Sequence, residues 1–503
     1  MLLVPMARAR NRPYCRWGSE ALAGINPAPV LRAALVLAFT CMGWGIGGDA
    51  LAQAGGIGEG SADYPIPSTA REAYSPIGEG FESPIEPREN LKGPRPYVDE
   101  RRDQLRAARP GLQTLSPFFR DTELTANSRT YWLGEHVFGL SQPKALTTGG
   151  YISYQSGYMV DFLQLRATLY TTQPLYAPEG AGDTLNLTPD GDQITTLGQA
   201  NARLKFAGQE LTMGRQLVRT PFLNPFDVRM IPITYEGIVL LPERRGEQTL
   251  DYISSYLWRY KPRNTDKFIP LSEALGVEQD EGVLITGIRH RTKSFNYGLV
   301  NYWIKDTMNT AYGEIDYLLP FGGKDGGPSF RVGVNDLDQR SVGADLIADA
   351  PFETYQASAR LIASYRNFVL TGATSWVGRG ASIQKPFGTS PIYTSMNISS
   401  FRRAGEKGYF ASLSYDFSAI GLKGVKFYVA WGRGVDAVAA KTGEPLSDRD
   451  EIDLHLTYEP HSGPLEGLRA EVEYIDEHLA DSGQPSDDLR QFRVIVNYKL
   501  PLL

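Results

Sequence analysis

Arginine and lysine recur at alternate positions of short runs that otherwise alternate apolar and polar side chains. Arg203, Lys205, Arg331, Arg360, Arg366, Lys426, Arg469 and Arg493 fall in this phase, and Arg402, Arg403 and Arg433 lie near run ends. A guanidinium stays charged and offers a fork that matches a carboxylate. A row of such groups could hand an anion along a narrow polar passage, each site attractive yet weak enough to release it. Glu314, Asp316 and Asp416 are the candidates for an opposing acidic wall. For each arginine an equally weighted reading is a salt bridge that only stiffens the scaffold.

Bond-making chemistry has little support. The only cysteines are Cys15 and Cys41, both near the N-terminus. Without them there is no disulfide, thiolate ligand or thiol nucleophile. The histidines are His136, His290, His455, His461 and His478, and none forms a ligand pair at helical spacing. The expectation is therefore no metal site and no cofactor. No Gly-x-Ser-x-Gly motif occurs. His455, with Asp453 two residues before it, is the one pair a hydrolase could use, and it is also ordinary decoration of a polar wall.

The elements that would position these groups begin after an N-terminal segment of another kind. Arg8, Arg10, Arg12, Arg16 and Arg32 precede an apolar run from Ala33, followed by the small-residue patterns Ala50-Leu-Ala52 and Ala52-Gln-Ala54. That order reads as a secretory signal peptide over residues 1–54, cleaved near Ala52 or Ala54. The run is too short and too Gly-interrupted for the ~20 residues of a spanning helix. Removing it leaves 46 basic and 55 acidic side chains. An acidic balance argues against a nucleic-acid partner, which needs a basic surface. Residues 55–116 are rich in Gly, Pro, Ser and Glu without periodicity. They read as a mostly disordered periplasmic arm, with a short charged helix near 99–108.

From residue 117 to 503 the texture is all-β. Phe492, Val494, Val496, Tyr498 and Leu500 oppose Arg493, Ile495, Asn497 and Lys499. Ile452, Leu454, Leu456 and Tyr458 oppose Asp453, His455 and Thr457, and similar runs surround Tyr355, Tyr409 and Leu468. Apolar faces that begin or end in Tyr or Trp suit a membrane interface, where a ring with a wet tip is favoured. Roughly eighteen such runs of ~10 residues predict a transmembrane antiparallel β-barrel with an aqueous interior. Tandem β-sandwiches would need linkers, and none follows Asp121. Polar inserts at 173–197, 259–281, 385–391 and 435–448 predict long extracellular loops, some folding inward.

One stretch carries a signature. From Leu211 to Gly237 the order Gly214, Gln216, Pro221, Asp227, Arg229, Pro232, Thr234, Tyr235, Gly237 resembles the OprD family of outer-membrane porins. The first run, Phe118 to Trp132, and the last, Phe492 to Tyr498, look like that family's terminal strands. The resemblance implies a barrel of eighteen strands in lipid and lipopolysaccharide, usually trimeric, passing small and often anionic nutrients. It implies a basic ladder on one wall, and a constriction or a turn shaped by Asp227, Arg229 and Pro232. The resulting expectation is a selective passive channel for small carboxylates. A barrel hydrolase and a non-selective or structural barrel are the alternatives.

Overall fold

The computed structural model describes residues 104–503, apart from 106, 138–141, 244–249, 293, 320–326, 348–350, 388–389, 461, 464 and 480–487. The expected signal segment and most of the expected arm lie outside the described residues. At 104–108 the Ala108 N–H donates to the Gln104 carbonyl, one helical turn of the charged segment.

Alternation of period two builds strands whose two faces meet different surroundings. The strands are β1 Glu123–Val137, β2 Lys144–Gln155, β3 Leu163–Tyr176, β4 Ile194–Phe206, β5 Gln209–Gln216, β6 Thr234–Pro242 and β7 Leu250–Lys261. After the two-residue β8 Ile269–Pro270 come β9 Val283–Arg291, β10 Phe295–Ile304, β11 Met308–Leu318, β12 Ser329–Ser341 and β13 Glu353–Tyr365. The chain closes with β14 Phe368–Val377, β15 Lys407–Asp416, β16 Val425–Val435, β17 Arg449–Tyr458, β18 Leu468–Leu479 and β19 Leu489–Pro501. Neighbours pair antiparallel, β7 pairs with β9 around the short β8, and β1 pairs with both β2 and β19. The result is a closed barrel of eighteen strands, with β8 an appendage of β7. Closure leaves no unpaired edge, which a sheet in hydrocarbon requires.

The outer face is the apolar one. Leu413, Ile452, Leu456, Val472, Phe492 and Val496 are exposed there, whereas Asp453, His455, Glu473 and Arg493 on the alternate phase are buried. Aromatic rings cluster at the strand ends, as where Phe368 meets Tyr415 at 4.5 Å and Trp132 stacks on Tyr176 at 6.2 Å. Those are the girdle positions, where an apolar ring with a polar tip is most stable.

Short turns occupy one rim. The Ala207–Gly208 pair between β4 and β5 has φ of 49° and 76°, the mirror-type hairpin turn that matches strand twist. Long connections leave the other rim: residues 177–193, 217–233, 262–282, 378–406 and 436–448. Within the third, Leu271–Leu275 forms a 3-10 turn. The insert expected at 385–391 is the middle of the much longer 378–406 loop. Two of these loops fold inward. Val218, Phe222, Leu223 and Phe226 of the first share one apolar cluster with Ile383 and Phe387 of the second and with Tyr260 and Tyr302 of the wall.

Candidate functional site

The signature stretch is a strand pair and the loop it launches. Gly214 and Gly237 stand directly opposite each other across β5 and β6. Gly214 has φ of 110°, and a Cβ there would lie 2.4 Å from the Ala200 carbonyl oxygen. At Gly237 a Cβ would lie 2.4 Å from the Tyr256 oxygen. Neither site admits a side chain, so the backbones of β4 to β7 approach closely there. Gln216 turns back and donates from Nε2 to the Gly237 carbonyl at 3.2 Å. The Tyr235 hydroxyl donates to the Asn224 carbonyl at 3.0 Å, and Thr234 opens β6. Pro221 lies in the 217–233 loop itself.

That loop is pinned to the wall by charge. Asp227 forms an ion pair with Arg129 of β1 at 2.6 Å, and Arg129 also donates to Asn497 at 2.7 Å. Arg229 is buried and donates from Nε to the Thr184 carbonyl at 3.1 Å. The Pro232 carbonyl accepts from Lys261 Nζ at 3.3 Å. Asp227, Arg229 and Pro232 therefore hold the inward-folded loop against the wall.

On the other side of the barrel, Glu314 and Asp316 of β11 are buried on the inner phase. β11 stands nine strands from β1 in either direction around the closed sheet. The two acids meet two of the expected cations on neighbouring strands. Arg331 of β12 lies 2.5 Å from Asp316, and Arg360 of β13 lies 3.1 Å from Asp316 and 3.5 Å from Glu314. The Tyr393 hydroxyl of the 378–406 loop donates to Glu314 at 2.6 Å, and its ring lies 4.3 Å from the Arg360 guanidinium. Burial first, then the Glu314 carboxylate, pushes the Tyr393 hydroxyl well up, so it stays a donor.

The rest of the 378–406 loop rests on β17 and β18. Glu451 accepts from the N–H groups of Ile398 at 2.8 Å and Ser399 at 2.5 Å, and Asp453 accepts from the Asn397 N–H at 3.3 Å. Hydrogen bonds of this kind contribute roughly 0.5–1.5 kcal/mol each. At the loop's end Glu406 sits between Arg403 at 2.7 Å and Arg449 at 2.9 Å. Burial alone would raise its pKa, but the Arg449 and Arg403 guanidiniums outweigh that and hold the carboxyl below the usual range.

The remaining expected cations are spread around the barrel. Arg493 is buried on β19 against Glu473 at 2.8 Å, and Arg469 lies 3.2 Å from Glu471. Arg203 meets Glu210 at 3.0 Å and Lys205 meets Glu243 at 3.5 Å. Lys426 has the inner phase but is exposed near the short-turn rim. Arg402 donates to the Ile383 carbonyl within the long loop. Arg433 shares the outer phase with Trp431 and pairs with Asp448 at 3.3 Å.

Two expectations need correction. Arg366 is not on a strand: it takes φ of 52° in the two-residue turn between β13 and β14, exposed beside the Tyr365 ring. The alternation of β13 ran through it because a tight turn adds polar residues without breaking the pattern. Asp416 does not join Glu314 and Asp316. It ends β15 and caps the 3-10 turn Phe417–Ile420, accepting from the Ser418 N–H at 2.8 Å.

Sequence reasoning also missed residues. Arg166 of β3 shares the inner phase with Gln164, Thr168 and Tyr170. It donates to the Gln155 side chain at 3.0 Å, and among the described residues it forms no ion pair. The alternation from Gln164 to Tyr170 could have flagged it. His455, Glu471 and Glu473 come together, their ligand-capable atoms all within 4.8 Å of one another. No spacing rule finds this group, since its members lie on two strands. The two ring nitrogens of His455 face other groups: Nε2 lies 2.9 Å from Asn397 Nδ2, and Nδ1 lies 3.5 Å from Glu471.

Comparison with known proteins bears on this geometry. The model described as outer membrane porin, OprD family, matches residues 116–502. No curated protein matches the chain. Among solved structures, Pseudomonas aeruginosa OpdK with vanillate is similar at 20% identity and a TM-score of 0.67, covering 76% of this chain and 100% of that one. Acinetobacter baumannii OccAB3 is similar at 17% identity and a TM-score of 0.68, covering 76% and 100%. A BenF-like porin from Pseudomonas fluorescens Pf-5 is similar at 16% identity and a TM-score of 0.67, again covering 76% and 100%.

Proposed function

The chain belongs to the OprD family of outer membrane porins, and from that premise we propose that it is a selective passive channel for small organic carboxylates. Porins of this family are outer-membrane channels rather than enzymes, so function rests on pore shape and lining charge. The observation that carries the reading is Arg166. Its guanidinium is half-buried on the inner phase of β3, oriented by Gln155, with no ion pair among the described residues. A cation so placed keeps its charge for a passing solute. Arg129, Arg203 and Lys205 stand in the same sector, β1 to β4, but each is paired with a carboxylate, so Arg166 is the cation this reading rests on.

OpdK was solved with vanillate, a small aromatic acid, which is in keeping with the class proposed here. Two further parts belong to this reading: cleavage near Ala52 or Ala54, checked by sequencing the mature N-terminus, and a homotrimeric assembly, checked by particle mass in detergent.

Planar-bilayer conductance with a panel of carboxylates tests the proposal. A small acid should reduce ion current in a saturable way, and Arg166→Gln should weaken that block about tenfold, the cost of one charge-assisted bond. An ohmic pore indifferent to every organic acid would favour the non-selective reading. Absence of conductance would favour a structural barrel.

A further inference from the structure

Five carboxylates crowd the inner faces of β17 and β18: Glu451, Asp453, Glu471, Glu473 and Glu477, all buried. Only two arginines among the described residues pair with this group, Arg469 with Glu471 and Arg493 with Glu473. Arg403 and Arg449 pair with Glu406, and their charge also reaches Glu477 and, from Arg449, Glu451, which still leaves six carboxylates to four arginines. Buried carboxylates in excess of their cations are costly unless a further positive charge offsets them.

The arrangement around His455 is that of a ligand set. His455 stands directly opposite Glu473 in the β17–β18 register, with Glu471 one inward position further along β18. His455 Nδ1 lies 3.5 Å from Glu471 Oε1 and 3.7 Å from Glu473 Oε1. Two metal–ligand bonds at a tetrahedral angle place their donor atoms about 3.4 Å apart. Each glutamate is held from behind: Arg469 takes Glu471 Oε2 at 3.2 Å and Arg493 takes Glu473 Oε2 at 2.8 Å. The two Oε1 atoms are thereby turned toward the same imidazole nitrogen, as outer partners orient metal ligands.

Two buried oxygen atoms without hydrogen-bond partners lie beside this set. Asp453 Oδ1 is buried without a hydrogen-bond partner, two residues from His455 on the same inner phase and within its electrostatic reach. Asn397 Oδ1 is likewise buried and unpartnered, while its Nδ2 faces His455 Nε2 at 2.9 Å. Turning that amide over gives Oδ1 the Nε2–H as a donor and leaves the Nδ1 lone pair free for a metal.

We propose that His455 Nδ1, Glu471 and Glu473 bind one divalent transition-metal cation in the barrel wall, beneath the 378–406 loop. Asp453 supplies neighbouring negative charge, and Asn397 is a positioning residue that sets the imidazole tautomer. Nitrogen plus carboxylate ligands suit zinc or cobalt rather than calcium or magnesium.

The test uses the full-length porin in detergent, stripped with a chelator. Zn2+ uptake is measured by equilibrium dialysis, and Co2+ by the visible ligand-field absorption of a nitrogen–oxygen site. The wild type should take up one ion per chain. His455→Ala and Glu473→Gln should each weaken binding by at least about 100-fold, and Asn397→Ala by about 10–100-fold. Glu236→Gln, a carboxylate of β6 paired with Arg215 and outside this cluster, should keep the stoichiometry. Folding of each variant is verified by its heat-dependent electrophoretic shift. Should His455→Ala not fold, His455→Gln replaces it, retaining a polar side chain against Asn397. A folded wild type that takes up neither ion overturns the proposal, as does undiminished uptake by a folded His455 variant.

Discussion

Asp227 and Arg129 meet at 2.6 Å although ninety-eight residues separate them. One sits on the loop between β5 and β6, the other on β1 beside the closing seam with β19. The pair ties the inward loop to the strand that completes the barrel. Arg129→Gln should loosen the loop by roughly 1–3 kcal/mol, between the limits for exposed and buried pairs. Single-channel recordings should then show larger and noisier conductance. Unchanged current would mean that the loop is held by its apolar cluster alone.

Arg360 lies between Glu314 and Asp316, with the Tyr393 ring over it. Arg360→Gln leaves two buried carboxylates with Arg331 on Asp316 as the arginine pair seen among the described residues. The channel should shift toward cation preference, read as a change in reversal potential across a salt gradient. The shift should shrink at high salt if the exposed part of the field is screened.

The 378–406 loop should respond to acid through Glu406. Its folded carboxyl titrates below the ordinary range because Arg449 and Arg403 outweigh the effect of burial. The stabilisation is therefore complete above the unfolded carboxylate range and is lost as pH falls through the lowered folded value. Hydrogen exchange around residues 403–406 should rise only in that acidic window. Glu406→Gln should abolish the dependence and expose the loop at neutral pH.

Backbone packing at the signature glycines is testable with a single methyl group. Gly214→Ala puts a Cβ against the Ala200 oxygen at a φ of 110°, which should cost about 1–3 kcal/mol or more. Gly372→Ala, on β14 with nothing within 4 Å of its Cβ, should be close to neutral. Urea unfolding in lipid vesicles separates the two. Equal stability of both variants would remove the steric account of the signature.

Much of this was legible in the sequence. The alternation of Phe492 to Leu500 and of Ile452 to Tyr458 gave the phase of β19 and β17, because lipid outside and polar groups inside demand opposite chemistry on successive residues. The signature from Gly214 to Gly237 identified the family for the same local reason: its glycines answer to neighbouring backbone. Arg366 failed because phase says which face a residue takes but not where a strand stops.

Partnership was not legible. Arg331 and Arg360 were expected to face Glu314 and Asp316 across a passage, and they pair with them from the next strand and the next but one. His455 meets Glu471 and Glu473 only because of the register between β17 and β18. Asn397 and Tyr393 reach the wall only because the 378–406 loop turns inward. The sequence by itself determined the barrel, its inner and outer faces and its family, since each follows from local periodicity. Which inward charges neutralise one another, and which remain for a solute or a metal, was decided by strand register and loop packing. Those depend on residues far apart in the chain, and no local pattern encodes them.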